Sequence, residues 1–330
     1  MSERMRWAVL GTGKIANRFA ASLNNISERA ELLAVGSRTK EKGDAFADKY
    51  NIPRRYVGYE SVINDPDIDI VYVGTPGVFH KQDVMMCLNN GKHVLCEKAM
   101  TMNAEETREI IALAREKNLF LMEAMWTRFF PLHVMIRKML KDNIIGSVNA
   151  LVINFSALPP FDVNNRFFNV DLGASVLYDT GSYGISWAYS LLGKPQEVVG
   201  LAHFGETGAD YQMATIMKYP KGELVSILCS QISFDYKDAT IIGSQGRIEI
   251  HDPWYKPEKM TIYREGKEPE QITIPLNGYI GYEYEAMAVM DCIQKGEIES
   301  EVMPLDESLE IAKTLEELRK SWHFKFPFEK

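Results

Sequence analysis

The chain has 330 residues, of which 46% are hydrophobic and 25% are charged, so it has the composition of a globular protein and room for two hydrophobic cores. Its net charge of -8 at pH 7 argues against nucleic acid or an anionic membrane as the main partner, because both select basic surfaces. The four cysteines have no C-x-x-C spacing and are expected to be reduced thiols in a cytoplasmic protein.

The first part of the chain predicts alternating strands and helices. A strand over residues 6–10 runs into a glycine turn and a helix to about residue 24, which differs from a secretory leader. No later run approaches the ~18 apolar residues of a membrane span. Further strands are predicted at residues 31–36, 68–73, 93–96 and 119–122, with helices from residue 40, over 82–90 and over 104–117, the last with a capping box of Asn103 and Glu106. This alternation indicates an α/β fold with a doubly wound parallel sheet.

From about residue 126 the pattern changes to longer strands joined by short polar turns. Strands are predicted at residues 147–157, 197–204, 212–219, 223–234, 239–243 and 247–250, and helices at 174–192, 282–294 and 305–322. We therefore predict a dinucleotide-binding Rossmann domain over residues 1–125 and an α+β domain over residues 126–330 for substrate binding and oligomerisation. Its large, open, mostly antiparallel sheet needs a cover, which favours a homodimer or a higher homo-oligomer.

The turn after the first strand has the pattern of a dinucleotide-binding fingerprint. Gly11 permits the tight turn, Gly13 lets backbone N–H groups approach a pyrophosphate, and the small Ala16 allows close packing of helix on strand. The phosphates then lie at a helix N-terminus, where unpaired N–H groups favour negative charge. A glycine pair alone also serves any tight strand-to-helix turn.

The end of the second strand bears on the choice between NADP and NAD. NAD sites usually place a carboxylate there for the ribose 2′-hydroxyl, but this chain has Ser37 and Arg38, and no carboxylate before Glu41. A hydroxyl and a guanidinium suit a 2′-phosphate, so the sequence favours NADP, with NAD as the alternative. The alternative is that Arg38 stacks on the adenine or faces solvent.

Four short motifs, in order, resemble the Gfo/Idh/MocA oxidoreductases, the family of glucose-fructose oxidoreductase and inositol dehydrogenase. They are the glycine turn, Thr75-Pro76 with His80, Glu97-Lys98, and the run from Asp179 to Tyr183. The segments 122–129, 246–248 and 292–301 are similar to the branch that contains dimeric dihydrodiol dehydrogenases and NADP-dependent D-xylose dehydrogenases. The resemblance covers nearly the whole chain.

The resemblance implies transfer of a hydride between a nicotinamide and a secondary alcohol or carbonyl of a sugar, a cyclic polyol or a trans-dihydrodiol. It places the acid/base groups at Lys98 and Tyr183, whose free pKa values of about 10.4 and 10 are too high for a base at neutral pH. Burial and the positive charge of the oxidised nicotinamide would each lower the pKa of the lysine, and Lys98 near Tyr183 would favour the tyrosinate. We predict that Tyr183 exchanges the proton, that Lys98 lowers its pKa and binds the substrate hydroxyl, that Asp179 orients the pair, and that Glu97 holds the ribose or the lysine.

The remaining predicted contacts form two sets. The cofactor-binding set comprises Gly11, Thr12, Gly13, Lys14, Ile15, Ala16, Ser37, Arg38, Thr75, Pro76, His80, Glu97 and Lys98, although His80 could instead cap the following helix. The substrate-binding set comprises Trp126, Arg128, Arg166 and Trp254, with the core or an interface as the alternative for both tryptophans. The histidines and cysteines lack metal-ligand spacing, so no metal is expected.

Two positions depart from the family pattern. Ala99 stands where proline usually follows Glu-Lys, which questions the rigidity of that loop, and Gly77 replaces an asparagine found in many members. The same family includes a repressor that binds a dinucleotide without evident turnover, so a nucleotide sensor is the alternative to an enzyme, and Ala99 is a small argument for it. The presence of both Lys98 and Tyr183 favours the enzyme, because a sensor needs no acid/base pair.

Overall fold

The computed structural model describes residues 4–329, which form two compact units. The first unit contains the residues up to 126 together with 277–309, and the second contains 127–276 and the residues from 310 onward. This division differs from the two consecutive segments predicted from the sequence, 1–125 and 126–330, because residues 277–309 lie with the first unit.

The first unit is built on a six-stranded parallel sheet. Its strands lie in the order β3-β2-β1-β4-β5-β6. The chain first adds β2 and β3 on one side of β1, and then crosses to the other side of β1 to add β4, β5 and β6. The strands are β1 (Met5–Leu10), β2 (Ala30–Ser37), β3 (Arg54–Val57), β4 (Ile70–Val73), β5 (His93–Glu97) and β6 (Leu121–Ala124). In a doubly wound sheet, ligands bind outside the carboxyl ends of the strands at such a switch point.

Helices cover both faces of this sheet. They are α1 (Lys14–Asn25), α2 (Lys40–Tyr50), α3 (Glu60–Ile63), α4 (His80–Asn89) and α5 (Ala104–Lys117). Side chains of one face, including Val71 and Val73, share a buried core with residues of α3, α4 and α5. Tyr72 points to the opposite face, where its ring stacks on Phe19 of α1 with centroids 3.8 Å apart.

The segment 277–309 joins the first unit through several independent contacts. Its helix α8 (Tyr282–Gln294) packs against α1, and the guanidinium of Arg29 lies 2.5 Å from the carboxylate of Asp291. The backbone N–H of Leu121 donates to the carbonyl of Ile298, and Leu305 is fully buried in the core of the unit. These contacts explain why the segment does not lie with its neighbours in sequence.

The second unit is built on an eight-stranded sheet. It contains β7 (Val148–Ser156), β8 (Glu197–Phe204), β9 (Asp210–Lys218), β10 (Leu224–Ser230), β11 (Ala239–Gly243), β12 (Gly246–Ile250), β13 (Lys259–Arg264) and β14 (Glu270–Thr273). The order is β14-β13-β12-β11-β7-β10-β9-β8, and all pairs are antiparallel except β7 with β10. The predicted fold class, a Rossmann domain followed by a mostly antiparallel α+β domain, is confirmed.

Three helices accompany this sheet. They are α6 (Pro131–Lys141), α7 (Ser182–Leu192), preceded by a π-helical turn over Leu177–Gly181, and α9 (Leu305–Ser321), whose first residues belong to the other unit. Gly184 of α7 packs on the sheet so closely that a Cβ there would lie 3.0 Å from Ile227. Between residues 4 and 329, no helix is long and apolar enough to cross a membrane.

Candidate active site

The glycine turn lies at the switch point of the parallel sheet. Gly11 has a φ of +94°, and a Cβ at this position would stand 3.0 Å from the carbonyl oxygen of Gly74, which follows β4. Gly13 is the exposed N-cap residue of α1, and no atom lies within 4 Å of the place where its Cβ would be. The turn therefore presents an open helix N-terminus that fits a pyrophosphate.

The other predicted residues of this turn follow the same geometry. Thr12 and Ile15 are half-buried, Lys14 is exposed, and Ala16 is fully buried against the sheet. Asn17, which sequence analysis missed, donates from its side-chain amide to the carbonyl oxygen of Gly13 at 2.9 Å. Its own oxygen accepts hydrogen bonds from Lys49 and Tyr50, so Asn17 ties the glycine turn to α2.

At the end of β2, Ser37 is buried and Arg38 is exposed. The hydroxyl of Thr39 caps α2 by accepting a hydrogen bond from the N–H of Lys42 at 3.5 Å. The Arg38 guanidinium, with the N-terminus of α2 beside it, gives this edge of the sheet a positive character that suits an anionic group.

The loop after β4 is held by buried polar contacts. The hydroxyl of Thr75 donates to the Asp83 carboxylate at 2.6 Å, and burial raises the pKa of that carboxyl. Pro76 is exposed beside this anchor. The ring nitrogens of His80 lie 2.9 Å from the carbonyl oxygen of Thr75 and 3.0 Å from that of Ala99.

The structure excludes one of the two roles that the sequence left open for His80. It is the first residue of α4, whose N-cap residue is Phe79, so it does not cap the helix. It is 1% exposed, and its ring nitrogens face carbonyl oxygens of the loops after β4 and β5, of which the neutral imidazole donates to one. Contact with a cofactor stays a prediction. Burial lowers the pKa of His80.

Glu97 and Lys98 lie at the carboxyl end of β5. The hydroxyl of Tyr72 donates to one oxygen of the buried Glu97 carboxylate, and the backbone N–H of Lys98 donates to the other at 3.2 Å. Lys98 is half-buried, and the peptide bond that joins it to Ala99 is cis. The contact between the Ala99 carbonyl oxygen and a ring nitrogen of His80 holds this loop, although the usual proline is absent.

A second carboxyl group lies near Glu97. Glu285 of α8 is fully buried, and neither of its carboxyl oxygens has a hydrogen-bond partner within residues 4–329. Burial raises its pKa well above the ordinary value, and the charge of Glu97 acts in the same direction. Burial and the charge of Glu97 thus both favour the neutral form of Glu285.

In the second unit, Asp179 and Tyr183 occupy successive turns of one helical segment. Both are half-buried, and the Arg166 guanidinium lies 3.1 Å from the Asp179 carboxylate. The ring of Tyr183 lies 5.9 Å from that of Phe155 and 6.1 Å from that of Tyr255. The helix therefore presents a phenol and a carboxylate within an aromatic cluster.

Three residues of the predicted substrate-binding set are buried. Trp254 is fully enclosed and donates from its indole N–H to the carbonyl of Asn154 at 3.0 Å. Arg128 is 1% exposed and donates to the hydroxyl of Ser186 at 2.8 Å. Trp254 and Arg128 therefore belong to the interior of the second unit, and the substrate contacts proposed for them stay predictions that this packing does not favour.

Trp126 is also enclosed, at 4% exposure, but it belongs to the first unit. Its ring stacks on that of Tyr282 with centroids 4.3 Å apart. This contact favours a packing role, one of the alternatives left open by the sequence. Of the predicted substrate-binding set, Arg166 alone is exposed. In the part of the chain that the structure describes, no group of three or more acidic, histidine or cysteine side chains could hold a metal ion.

The chain is similar in sequence to a known family of oxidoreductases. Residues 5–125 match the profile of an oxidoreductase family with an NAD-binding Rossmann fold, and residues 133–249 match the GFO/IDH/MocA C-terminal domain. The chain is 37% identical to a trans-1,2-dihydrobenzene-1,2-diol dehydrogenase of Xenopus laevis, over 94% of this chain and 96% of that protein. It is 35% identical to the Mus musculus protein of the same name, over 99% of both.

Solved structures share the fold at lower identity. A 3-ketoreductase from Actinomadura kijaniata, in complex with NADP and TDP-benzene, has a TM-score of 0.86 at 24% identity, covering 96% of this chain and 98% of its own. A levoglucosan dehydrogenase in complex with NADH and levoglucosan has a TM-score of 0.88 at 17% identity, covering 98% and 100%. Both likenesses extend through the two units of the chain.

Proposed function

Since the chain belongs to the GFO/IDH/MocA family of NAD(P)-binding oxidoreductases, we propose that it oxidises a secondary alcohol on a ring, with a trans-dihydrodiol as the first substrate to test. The whole-length similarity to trans-dihydrodiol dehydrogenases supports this class. The observation that carries the proposal is the aromatic surrounding of Tyr183, where Phe155 and Tyr255 suit a flat, apolar ring.

A sugar or a cyclic polyol is the second candidate. The exposed Arg166 guanidinium and its partner Asp179 offer a donor and an acceptor for ring hydroxyls near the same helix. Several hydroxyls on one ring would use this pair better than the two of a dihydrodiol. A substrate panel separates the two classes.

The reaction needs one proton acceptor from the protein. When bound, the nicotinamide accepts the hydride from the carbinol carbon, while the hydroxyl proton must pass to a side chain. We assign that proton to the phenol oxygen of Tyr183 in its ionised form, with Asp179 orienting the group. The Lys98 ammonium would favour the tyrosinate and bind the substrate oxygen, and Glu97, anchored by Tyr72, would keep the Lys98 loop in place.

The cofactor proposed is NADP. The anchored glycine turn would receive the pyrophosphate, and the exposed Arg38 would receive a 2′-phosphate at the end of β2. The loops that begin at Thr75 and Lys98 would border the nicotinamide half, since they follow β4 and β5, which lie on the side of β1 opposite β2, at the carboxyl edge of the sheet.

We further propose that the chain forms a homodimer through the outward face of the second sheet. Register places Val199, Ile216 and Val152 in one row across that face, with Ser226 between the last two. Other apolar residues of the same face are exposed, namely Leu201, Leu224, Leu228 and Ile242. An apolar face of this extent is typical of a protein interface.

Nicotinamide absorbance with NADP⁺ and NAD⁺, measured against trans-dihydrodiols, inositols and aldoses, tests the activity. Lys98→Met and Tyr183→Phe should each lower kcat/KM by about 10²–10⁴-fold, the contribution of general acid–base catalysis. Lys194→Met and Tyr236→Phe, both at exposed positions, are matched controls that should retain wild-type turnover.

Two outcomes would contradict parts of this proposal. Full turnover of Tyr183→Phe, with none in Lys98→Met, would make the lysine the direct acid/base group. Tight dinucleotide binding without turnover on any member of the panel, in either direction, would support the sensor instead.

A further inference from the structure

The helical segment that carries Asp179 and Tyr183 is capped by a carboxyl group from a different element. Asp210 is the first residue of β9 and is 1% exposed. Its Oδ2 accepts a hydrogen bond at 2.9 Å from the backbone N–H of Leu177, 33 residues earlier in the chain. Because Leu177 begins the π-helical turn, Asp210 satisfies one of the N–H groups that a helix start leaves without an intrahelical partner.

Ser175 completes this cap. Its hydroxyl oxygen accepts a hydrogen bond from the N–H of Tyr178 at 3.3 Å, and its carbonyl oxygen accepts one from the backbone N–H of Asp179 at 2.8 Å. The Ser175 side chain also hydrogen-bonds the Asp210 carboxyl group. The first turn before Tyr183 is therefore fixed by one local residue and one distant residue.

The carboxyl group of Asp210 has an unusual environment for an acid. Burial raises its pKa to about 7, and the charge of Asp179 acts in the same direction, whereas the bonds from Ser175 and Leu177 oppose the rise. Its Oδ1 has no hydrogen-bond partner within residues 4–329. The titratable groups that face it are Asp179 from the helix and the Cys229 thiol from β10, and the pKa of that thiol is itself raised to about 12, mainly by burial.

We propose that Asp210 is a positioning residue for the reaction, because its carboxyl group fixes the helix start that sets the placement of Asp179 and Tyr183. The proposal rests on the function proposed above for Tyr183. An anionic carboxylate holds the Leu177 N–H by a charge-assisted bond, and the protonated acid holds it less strongly. The placement of Tyr183 should therefore tighten, and kcat should rise, as the pH passes upward through neutrality.

Two variants of Asp210 and one of Ser175 test the idea. Asp210→Asn keeps an acceptor oxygen but has no charge to gain, so its kcat should lose the rise near pH 7. Asp210→Ala removes the acceptor and should lower kcat about fivefold, the fold-change that corresponds to the ~1 kcal/mol of helix stability a lost cap costs. The KM for the dinucleotide should change less than about twofold, because the glycine turn lies in the other unit. Ser175→Ala, the matched control, should lower kcat but keep a pH-dependent rise, moved to higher pH because the bond that lowers the pKa of Asp210 is lost.

Amide hydrogen exchange over residues 175–183 gives a readout that does not need turnover. At pH 8, these amides should exchange faster in Asp210→Ala than in the wild type. In the wild type, they should exchange faster at pH 6 than at pH 8, after correction for the intrinsic exchange rates. The proposal for Asp210 would be overturned if both Asp210 variants had the hydrogen exchange, the kcat and the pH profile of the wild type while Tyr183→Phe had lost turnover. The function proposed for Tyr183 would then still stand. Wild-type turnover of Tyr183→Phe would instead refute the function, whatever the exchange of the helix start shows.

Discussion

Substitution of Gly11 by alanine should lower the stability of the first unit even when no ligand is bound. The residue has a φ of +94°, a region that costs an L-residue about 1–2 kcal/mol. The new Cβ would stand 3.0 Å from the carbonyl oxygen of Gly74, and backbone atoms retreat less readily than a side chain. Overpacking of this kind adds about 1–3 kcal/mol, so a total loss of about 3 kcal/mol is expected.

Gly13→Ala is the matched control, because it changes the same turn by the same methyl group. Gly13 has a φ of -74° and a ψ of -177°, which alanine adopts, and its Cβ would meet no atom within 4 Å. Alanine is a poorer N-cap residue than glycine, which destabilises the fold by about 0.5–1 kcal/mol. Alanine also lowers the conformational entropy of the unfolded chain, which stabilises the fold by a similar amount. The stability of Gly13→Ala should therefore stay near that of the wild type, while a pyrophosphate would meet the added methyl group.

Thermal unfolding of the unliganded protein and fluorescence titration with NADPH separate the two effects. Gly11→Ala should lower the Tm of the first unit by about 6–12 °C, since a unit of this size loses about 2–4 °C per kcal/mol. Gly13→Ala should unfold at the wild-type temperature but bind NADPH at least about tenfold more weakly, a loss of about 1.4 kcal/mol. A wild-type Tm in Gly11→Ala, or wild-type affinity in Gly13→Ala, would refute the reasoning for that position.

Three further results are expected. Arg38→Asp should reduce kcat/KM with NADP⁺ about 10–100-fold relative to NAD⁺, because it removes a charge-assisted bond to the 2′-phosphate; an unchanged ratio in steady-state kinetics would argue against that contact. Leu201→Lys should turn a dimer into a monomer in light scattering, while Leu158→Lys, on an exposed loop, should not; a dimer in both would place the interface elsewhere. Asp65 forms an ion pair with Arg54, and the hydrogen bonds to its carboxylate, led by that from Arg54, outweigh the effect of burial and lower the pKa of Asp65. The ionised carboxylate therefore stabilises the fold at pH values above its ordinary pKa of 3.8. This stabilisation is lost as the pH falls through the lowered pKa. Urea unfolding should therefore show Asp65→Asn less stable than wild type at pH 7, with a gap that narrows below pH 4; a gap that is constant with pH would exclude this ion pair as its cause.

Local signals in the sequence predicted most of the elements. Asn103 accepts a hydrogen bond from the N–H of Glu106 at 2.8 Å, as its capping pattern predicts, and Glu106 reaches back to the N–H of Met102. The helix predicted over 282–294 has the same bounds in the structure. Its assignment to a unit could not be predicted, since periodicity shows that a face is buried and not which core it faces.

The elements that were missed have weaker or longer-range signals. Arg54–Val57 is a four-residue strand with two charged residues, and the parallel pairing of β7 with β10 depends on partners about 70 residues apart in sequence. In the candidate site, the glycine turn and the loops at Thr75 and Lys98 were recognised from motifs. Tyr72 and Glu285 were not, because a tyrosine in a strand and a glutamate in a helix have no spacing that marks them as neighbours.

The return of residues 277–309 to the first unit limits how the protein can be divided. The polypeptide passes from one unit to the other three times, near residues 126, 276 and 309. A fragment that stops at residue 126 would lack α8 and Leu305, and would expose apolar surface that these normally cover. A chimera that exchanges the dinucleotide-binding half with that of a relative must therefore carry two separate stretches of gene, and a single-junction hybrid should be recovered as insoluble protein.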